Sequence, residues 1–186
     1  MLGVMMPLYV FEGRKPTIGK SSFVHRDAVL IGEVRIGETC FIGAGAVLRG
    51  DWGTVIVEDG SNVQENAVIH AGPDATTRLG KNSHVGHGAI LHGCTLEENV
   101  LVGMGAIVSD VAYAGEGCVI AAGAMVPPRM EIPPGKLVMG VPAHVERDVG
   151  EQMDNFIRLG TRLYQTLPER YGNSLEEVGI DQCRTG

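Results

Sequence analysis

Three of the six histidines in the chain, His70, His87 and His92, fall within one short stretch. Three imidazoles with an open fourth position are the donor set of a catalytic zinc ion. Such an ion lowers the pKa of a bound water to near ~7 and makes hydroxide available at neutral pH. Imidazole suits iron as well, so the donor set alone does not choose between zinc and iron. A single histidine on a turn is ordinarily only a polar surface residue. The metal reading therefore depends on whether the chain can gather all three.

The elements that would gather them follow from a repeat. Aliphatic residues recur every six positions at Ile18, Val24, Leu30, Ile36, Ile42 and Leu48. After a slip of three the series resumes at Val57, Val63 and Ile69, and after a slip of four at Leu79, Val85 and Leu91. One residue is then lost, and Leu96, Val102, Val108, Ala114, Ile120, Val126, Ile132 and Val138 complete it. A period of six is neither the helical 3.6 nor the alternating 2. It fits a parallel β-helix, in which one hexad is a short strand plus a corner. The aliphatic residue points inward. Gly often follows it, as in Ile36-Gly37 and Val85-Gly86, and a small residue such as Ala46 or Ala89 takes the fifth position. Glycine at a corner answers either a positive φ or a close backbone approach. Three hexads close one triangular coil of roughly 18 residues, which implies between six and seven coils.

The frame places the polar residues. With the slips looped out at 54–56 and 75–78, Leu91 lies one coil above Ile69, and Leu48 one coil below. Arg49, His70 and His92 then share the second hexad position and form a ladder on one edge, with a rung of about 4.8 Å. Asp51 and Gln64 lie nearby in sequence. His87 falls at the third position of the intervening hexad, on another edge. The three histidines can converge if neighbouring chains pack edge to edge about a threefold axis, so a homotrimer is expected. His25, His84 and His144 read as structural or exposed.

Composition bounds the rest. Of 186 residues 27 are Gly, aromatics are only 5%, and apolar residues are 44%, which suits a slim aliphatic core and excludes disorder. A net charge of −7 disfavours nucleic acid as a partner. No run approaches the ~18 apolar residues of a membrane span. Met1 to Pro7 is apolar but has no basic start and no cleavage site, so it does not read as a signal peptide. Cys40, Cys94, Cys118 and Cys183 are far apart, which points to buried thiols in a reducing, cytoplasmic setting.

The repeat ends at Gly140-Val141-Pro142-Ala143, dividing the chain into a β-helix over 1–145 and a helical segment over 146–180. Asp148 with Glu151 reads as a capping box. Val149, Met153, Phe156, Gly160, Leu163, Tyr164 and Leu167 form an apolar stripe, so a helix is expected over 148–167, stopped by Pro168 and folded back on the β-helix. A weaker helical segment is expected near 174–178.

Several stretches carry a family resemblance: Leu48-Arg49-Gly50-Asp51, Asn62-Val63-Gln64-Glu65-Asn66-Ala67-Val68-Ile69-His70, Val85-Gly86-His87-Gly88-Ala89-Ile90-Leu91-His92-Gly93-Cys94 and Val102-Gly103-Met104-Gly105. Gly160-Thr161 and Tyr164-Gln165 extend it. The sequence resembles the γ-class carbonic anhydrases, and most of all their branch from phenylacetate-degradation and carnitine-metabolism operons. The resemblance covers residues 8–178. It implies a left-handed β-helix forming a homotrimer with three zinc sites between subunits. It implies His70 and His92 from one chain, and His87 from its neighbour, as ligands. It makes Arg49 and Asp51 a subunit-bridging pair, Gln64 the residue that orients the attacking water or bicarbonate, and Asn62 its polar neighbour. Tyr164 matches a helix tyrosine that reaches the site. Two features depart from the family. The loop from Ala71 to Arg78 is short and carries only Asp74, and Trp52 stands where some members have a glutamate.

The first expectation is therefore zinc-dependent, reversible hydration of CO2 to bicarbonate. The alternatives are metal-assisted hydrolysis of acyl-CoA thioesters, acyl transfer of the hexapeptide type, and a metal-bound trimeric scaffold with weak or no catalysis.

Overall fold

The computed structural model describes residues 7–185. The apolar stretch before Pro7, read above as no signal peptide, lies outside the described residues. The chain winds into a parallel β-solenoid of about 7 turns followed by helix. A twelve-stranded sheet wraps two faces of the triangular prism and an eight-stranded sheet forms the third. Two long strands, Val29–Ile36 and Val47–Val57, run around the corner between the first two faces and join them.

Every inward residue of the hexad series is buried except Ile18, which is half-buried against the same core. The aliphatic stack thus forms the core that the period demands. The glycines after the inward residues answer close approach. A Cβ on Gly19 would stand 2.2 Å from the carbonyl oxygen of Gly37, and one on Gly86 2.7 Å from the amide nitrogen of Met104. Neither has a positive φ. The left-handed turn instead falls two residues later, at Gly45, Asn66, Gly88 and Gly105.

The two slips lie earlier than the count placed them. Thr54–Val57 and Thr76–Leu79 are paired strand. The surplus residues therefore bulge at 51–53 and 71–75, because the chain recovers register before each next inward residue. This moves Asp51 and Trp52 out beside the ladder.

Each face has its own outward column. On the first, Val47, Val68, Ile90, Ile107 and Met125 align in register, and Val68, Ile90 and Ile107 are exposed. On the second the column is largely polar, with Arg35, Arg78, Thr95 and Glu131, and Arg78 pairs with both Glu58 and Glu97. The third is covered by the C-terminal helices.

The solenoid closes with an antiparallel hairpin, Lys136–Gly140 against Ala143–Asp148. Asp148 is strand and pairs with Lys136, so it does not cap the helix. Helix α1 spans Glu151–Gln165, with Gly150 at its N-cap and no side-chain cap. Pro168 does not end the helical region. It lies in the first turn of a second helix, α2, over Leu167–Ser174, where its missing N–H costs nothing. Leu175–Val178 is not helical, and a short 3₁₀ turn follows at Ile180–Cys183. The buried face of α1 is also rotated from the expected stripe. Met153 and Ile157 pack on Val119 and Leu137, whereas Phe156 and Leu163 face solvent. Cys40, Cys94 and Cys118 are buried, but Cys183 is exposed.

Candidate functional site

Parallel pairing aligns Arg49 with His70 and His70 with His92 in consecutive coils. The strands Val68–His70 and Ile90–His92 run one residue past the inward position, so both imidazoles project outward from one edge. Their rings lie 5.0 Å apart, with His92 Nε2 3.0 Å from His70 Nδ1. Carboxylates hold the two far nitrogens. His70 Nε2 donates to Asp51 Oδ1 at 3.0 Å, from the bulge below. His92 Nδ1 donates to Asp110 Oδ1 at 2.5 Å, from the coil above. Arg49 Nη1 donates to Asp51 Oδ2 at 2.6 Å, and the Arg14 guanidinium donates to the Asp51 carbonyl. Burial works to raise the Asp51 pKa, but hydrogen bonds from Arg49 and His70 outweigh it and hold the carboxyl below its usual range. Burial also lowers the pKa of His70, reinforced by the charge on Arg49 and opposed by Asp51.

This arrangement has a chemical consequence. With the far nitrogens donating to carboxylates, His70 Nδ1 and His92 Nε2 face one another at 3.0 Å, within hydrogen-bond distance. A proton shared between the two nitrogens holds them at that distance, and a metal ion could take the proton's place. Two imidazole ligands of tetrahedral zinc stand about 3.3 Å apart, from Zn–N bonds of about 2.0–2.1 Å. Metal-ligating histidines characteristically donate their second nitrogen to a carboxylate. The pair therefore fits a metal ion. Asp110 was not anticipated from the sequence. Its hexad lies one coil above that of His92, which was the available signal.

His87 stands on another edge, half-exposed, with Nδ1 2.6 Å from Glu65 Oε2 of the coil below. Among the described residues of one chain, no three His, Cys, Asp or Glu side chains gather as a metal cluster. His87 is thus not brought to the His70–His92 pair within a single chain. It borders instead a largely apolar groove of about 500 Å³, together with Gln64, Leu101, Met104, Met139 and Met153.

Gln64 and Asn62 are buried. Gln64 Nε2 donates to Asn62 Oδ1 at 3.0 Å, and Asn62 Nδ2 lies 2.7 Å from His84 Nδ1. His84 Nε2 lies 2.6 Å from Thr161 Oγ1 of α1, and that hydroxyl donates to the Ile157 carbonyl at 3.0 Å. His84, read from the sequence as structural or exposed, is buried and joined through Asn62 to Gln64. Burial pushes its pKa down to about 4. Phe23, Phe41, Asn62, His84, Leu101, Val119 and Leu137 stack in one column under the helices, so Asn62 and His84 are polar interruptions of an apolar stripe. That interruption was the signal in the sequence. Tyr164 packs on His84 and Phe41, with ring centroids 5.8 and 6.0 Å away. Burial, and then the charge on Glu65, raise its pKa.

The fold and these side chains define a class: a hexad-repeat β-solenoid with paired, carboxylate-held imidazoles on one edge. The comparisons agree on the repeat. Residues 15–50 match the bacterial transferase hexapeptide model, and residues 33–72 and 76–110 the hexapeptide repeat of succinyl-transferase. The carnitine operon protein CaiE of Escherichia coli K12 is 42% identical over 173 residues, covering 93% of this chain and 88% of that protein. A hexapeptide transferase family protein of Anaplasma phagocytophilum has a solved structure with TM-score 0.85 at 36% identity, covering 89% of this chain and 98% of its own. An acetyltransferase-like protein of Bacillus cereus gives TM-score 0.87 at 33% identity, covering 89% of this chain and 96% of its own. The chain belongs to the hexapeptide-repeat family, whose fold is the left-handed parallel β-helix. No described helix is long and apolar enough to cross a membrane.

Proposed function

We propose that the protein is a metal-dependent enzyme of the γ-carbonic anhydrase type, which adds water to CO2 reversibly at a site shared between neighbouring subunits of a homotrimer. The observation that carries the reading is the pair of nitrogens, His70 Nδ1 and His92 Nε2, facing at 3.0 Å with both far nitrogens on carboxylates. Zinc or iron held there would polarise a water and lower its pKa toward ~7. His70 and His92 supply two ligands, and His87 of a neighbouring chain the third. The exposed apolar column of Val68, Ile90 and Ile107 supports the trimer, since it adjoins the ladder and burying it is favourable. Arg49 keeps Asp51 ionised, which keeps the proton of His70 on Nε2 and its Nδ1 free to bind. Gln64, next to His87 along the groove, accepts the O–H of the attacking water and aims its lone pair at carbon. Asn62 holds Gln64. Tyr164 closes the site on the helix side, and the Glu65 carboxylate beside His87 offers an acceptor for the released proton.

A second reading, hydrolysis of acyl-CoA thioesters, is favoured by the apolar groove that ends at Gln64 and His87, which suits an acyl chain. The same activated water would attack the thioester carbonyl and expel the thiolate.

Stopped-flow CO2 hydration on zinc- and iron-loaded protein tests the first reading, with a His92→Ala variant as control. A rate above buffer that the variant loses supports it; full metal occupancy with no rate overturns it. An acyl-CoA panel on the same samples tests the second. Release of free carboxylate supports hydrolysis, whereas acyl label on an added amine or alcohol replaces hydrolysis by the transfer that the relatives' descriptions name. A metal-loaded trimer inert on every substrate would instead be a scaffold.

A further inference from the structure

The polar column under α1 is more than packing. Four side chains form one unbroken run of hydrogen bonds from the groove to the helix backbone: Gln64, Asn62, His84 and Thr161. The direction of each bond is constrained. The Ile157 carbonyl can only accept, so Thr161 donates to it, and Thr161 must then accept from His84 Nε2–H. Neutral imidazole carries one donor and one acceptor. His84 Nδ1 is therefore an acceptor and takes the Asn62 amide. That leaves Asn62 Oδ1 to accept from Gln64 Nε2. The end of Gln64 left for the groove is Oε1.

We propose that His84 is a positioning residue: clamped between Asn62 and Thr161, it fixes Gln64 with its carbonyl oxygen, not its amide nitrogen, toward the groove. This deepens the proposed function, on which it rests for the identity of the groove's occupant. An Oε1 presented there selects an O–H donor, which is what an attacking water is, and disfavours a bare oxyanion such as a carboxylate. The opposite tautomer of His84 would reverse the run. Asn62 would then present Oδ1 to Nδ1–H, and Gln64 would present its amide to the groove and favour anions. The register of α1 thereby decides the polarity of a site on the solenoid, through a hydroxyl on its buried face. Burial pushes the His84 pKa down to about 4, which keeps the ring neutral at physiological pH.

Histidine ¹⁵N chemical shifts on the metal-free protein test this directly, the His84 signals being identified by their loss in His84→Gln. The expected result is protonated Nε2 and bare Nδ1 in the wild type and in Thr161→Ser. Thr161→Val, which removes the hydroxyl at nearly constant volume, should lose that single tautomer. Its turnover should fall about tenfold at little change in KM, since outer residues of this kind typically act at the 10–100-fold level, and Thr161→Ser should restore it. A wild-type Nδ1–H tautomer overturns the proposal, as does a Thr161→Val enzyme with an altered tautomer and unaltered turnover. The tautomer is read without metal or substrate. A wild type with the expected tautomer but no turnover on CO2 or acyl-CoA therefore supports the positioning of Gln64 and counts against the proposed function alone.

Discussion

Replacing His84 with Gln removes a buried imidazole that the fold keeps neutral, and the pH dependence of stability should report the loss. The His84 pKa lies at 6.5 in an ordinary setting and is pushed down to about 4 in the fold, where the ring is only 3% exposed. Between these values the unfolded chain binds a proton that the folded chain refuses. Stability linked to His84 is therefore complete above pH 6.5 and is lost as the pH falls toward 4. A group with these two pKa values loses about 2 kcal/mol between pH 7.5 and pH 5. Asp51, whose carboxyl is also held low, weakens the fold on acidification in both proteins and cancels from the difference. Urea denaturation of wild type and His84→Gln at both pH values, at one fixed protein concentration, supplies the four stabilities required. The substitution itself should cost about 1–3 kcal/mol at pH 7.5, because it disturbs buried hydrogen bonds. The wild type should then lose about 2 kcal/mol more than the variant on acidification. Equal losses in the two proteins would refute the burial argument and with it the neutral His84.

Leu91→Ala should destabilise the solenoid by about 2–5 kcal/mol in the same assay, since Leu91 is fully buried in the aliphatic stack. Gly50→Ala should unfold the chain or prevent its expression, because a Cβ there would stand 2.3 Å from the Glu33 carbonyl oxygen. Gly88→Ala meets nothing within 4 Å and bears only the strain of φ +66, so thermal unfolding should show a loss of about 1–2 kcal/mol. Asp110→Asn should lower metal affinity about 10–100-fold by competition titration, since a carboxamide cannot hold the His92 tautomer as a carboxylate does.

The hexad count made the core and the ladder legible because each depends only on local period: once Leu48, Ile69 and Leu91 are inward, the positions of Arg49, His70 and His92 follow. Whatever depends on where the chain departs from the period was harder to read. Surplus residues can be looped out at several places, and hydrogen bonding, not hydropathy, decides for 51–53 and 71–75. The face of α1 was misjudged because its apolar residues surround much of the helix. Ile157 is buried because it packs on Val119 and Leu137 of the solenoid, while Phe156 is left exposed. Asp148 and Glu151 have the spacing of a capping box, yet the hairpin captures Asp148 for Lys136. His84 stood outside the ladder count, so its partner Thr161 on a distant helix could be found only in three dimensions.

Sharing of the site between chains is the central claim, and it has a direct measurement. Metal content would be determined on anaerobically purified wild type, on His87→Ala, on His92→Ala, and on the two variants co-expressed in equal amounts. Either variant alone breaks every site and should bind little metal. In randomly mixed trimers a site is whole when the chain giving His70 and His92 meets a neighbour giving His87, which restores about one quarter of the wild-type metal. A co-expressed sample as empty as the single variants, or single variants that keep full metal, would contradict the account.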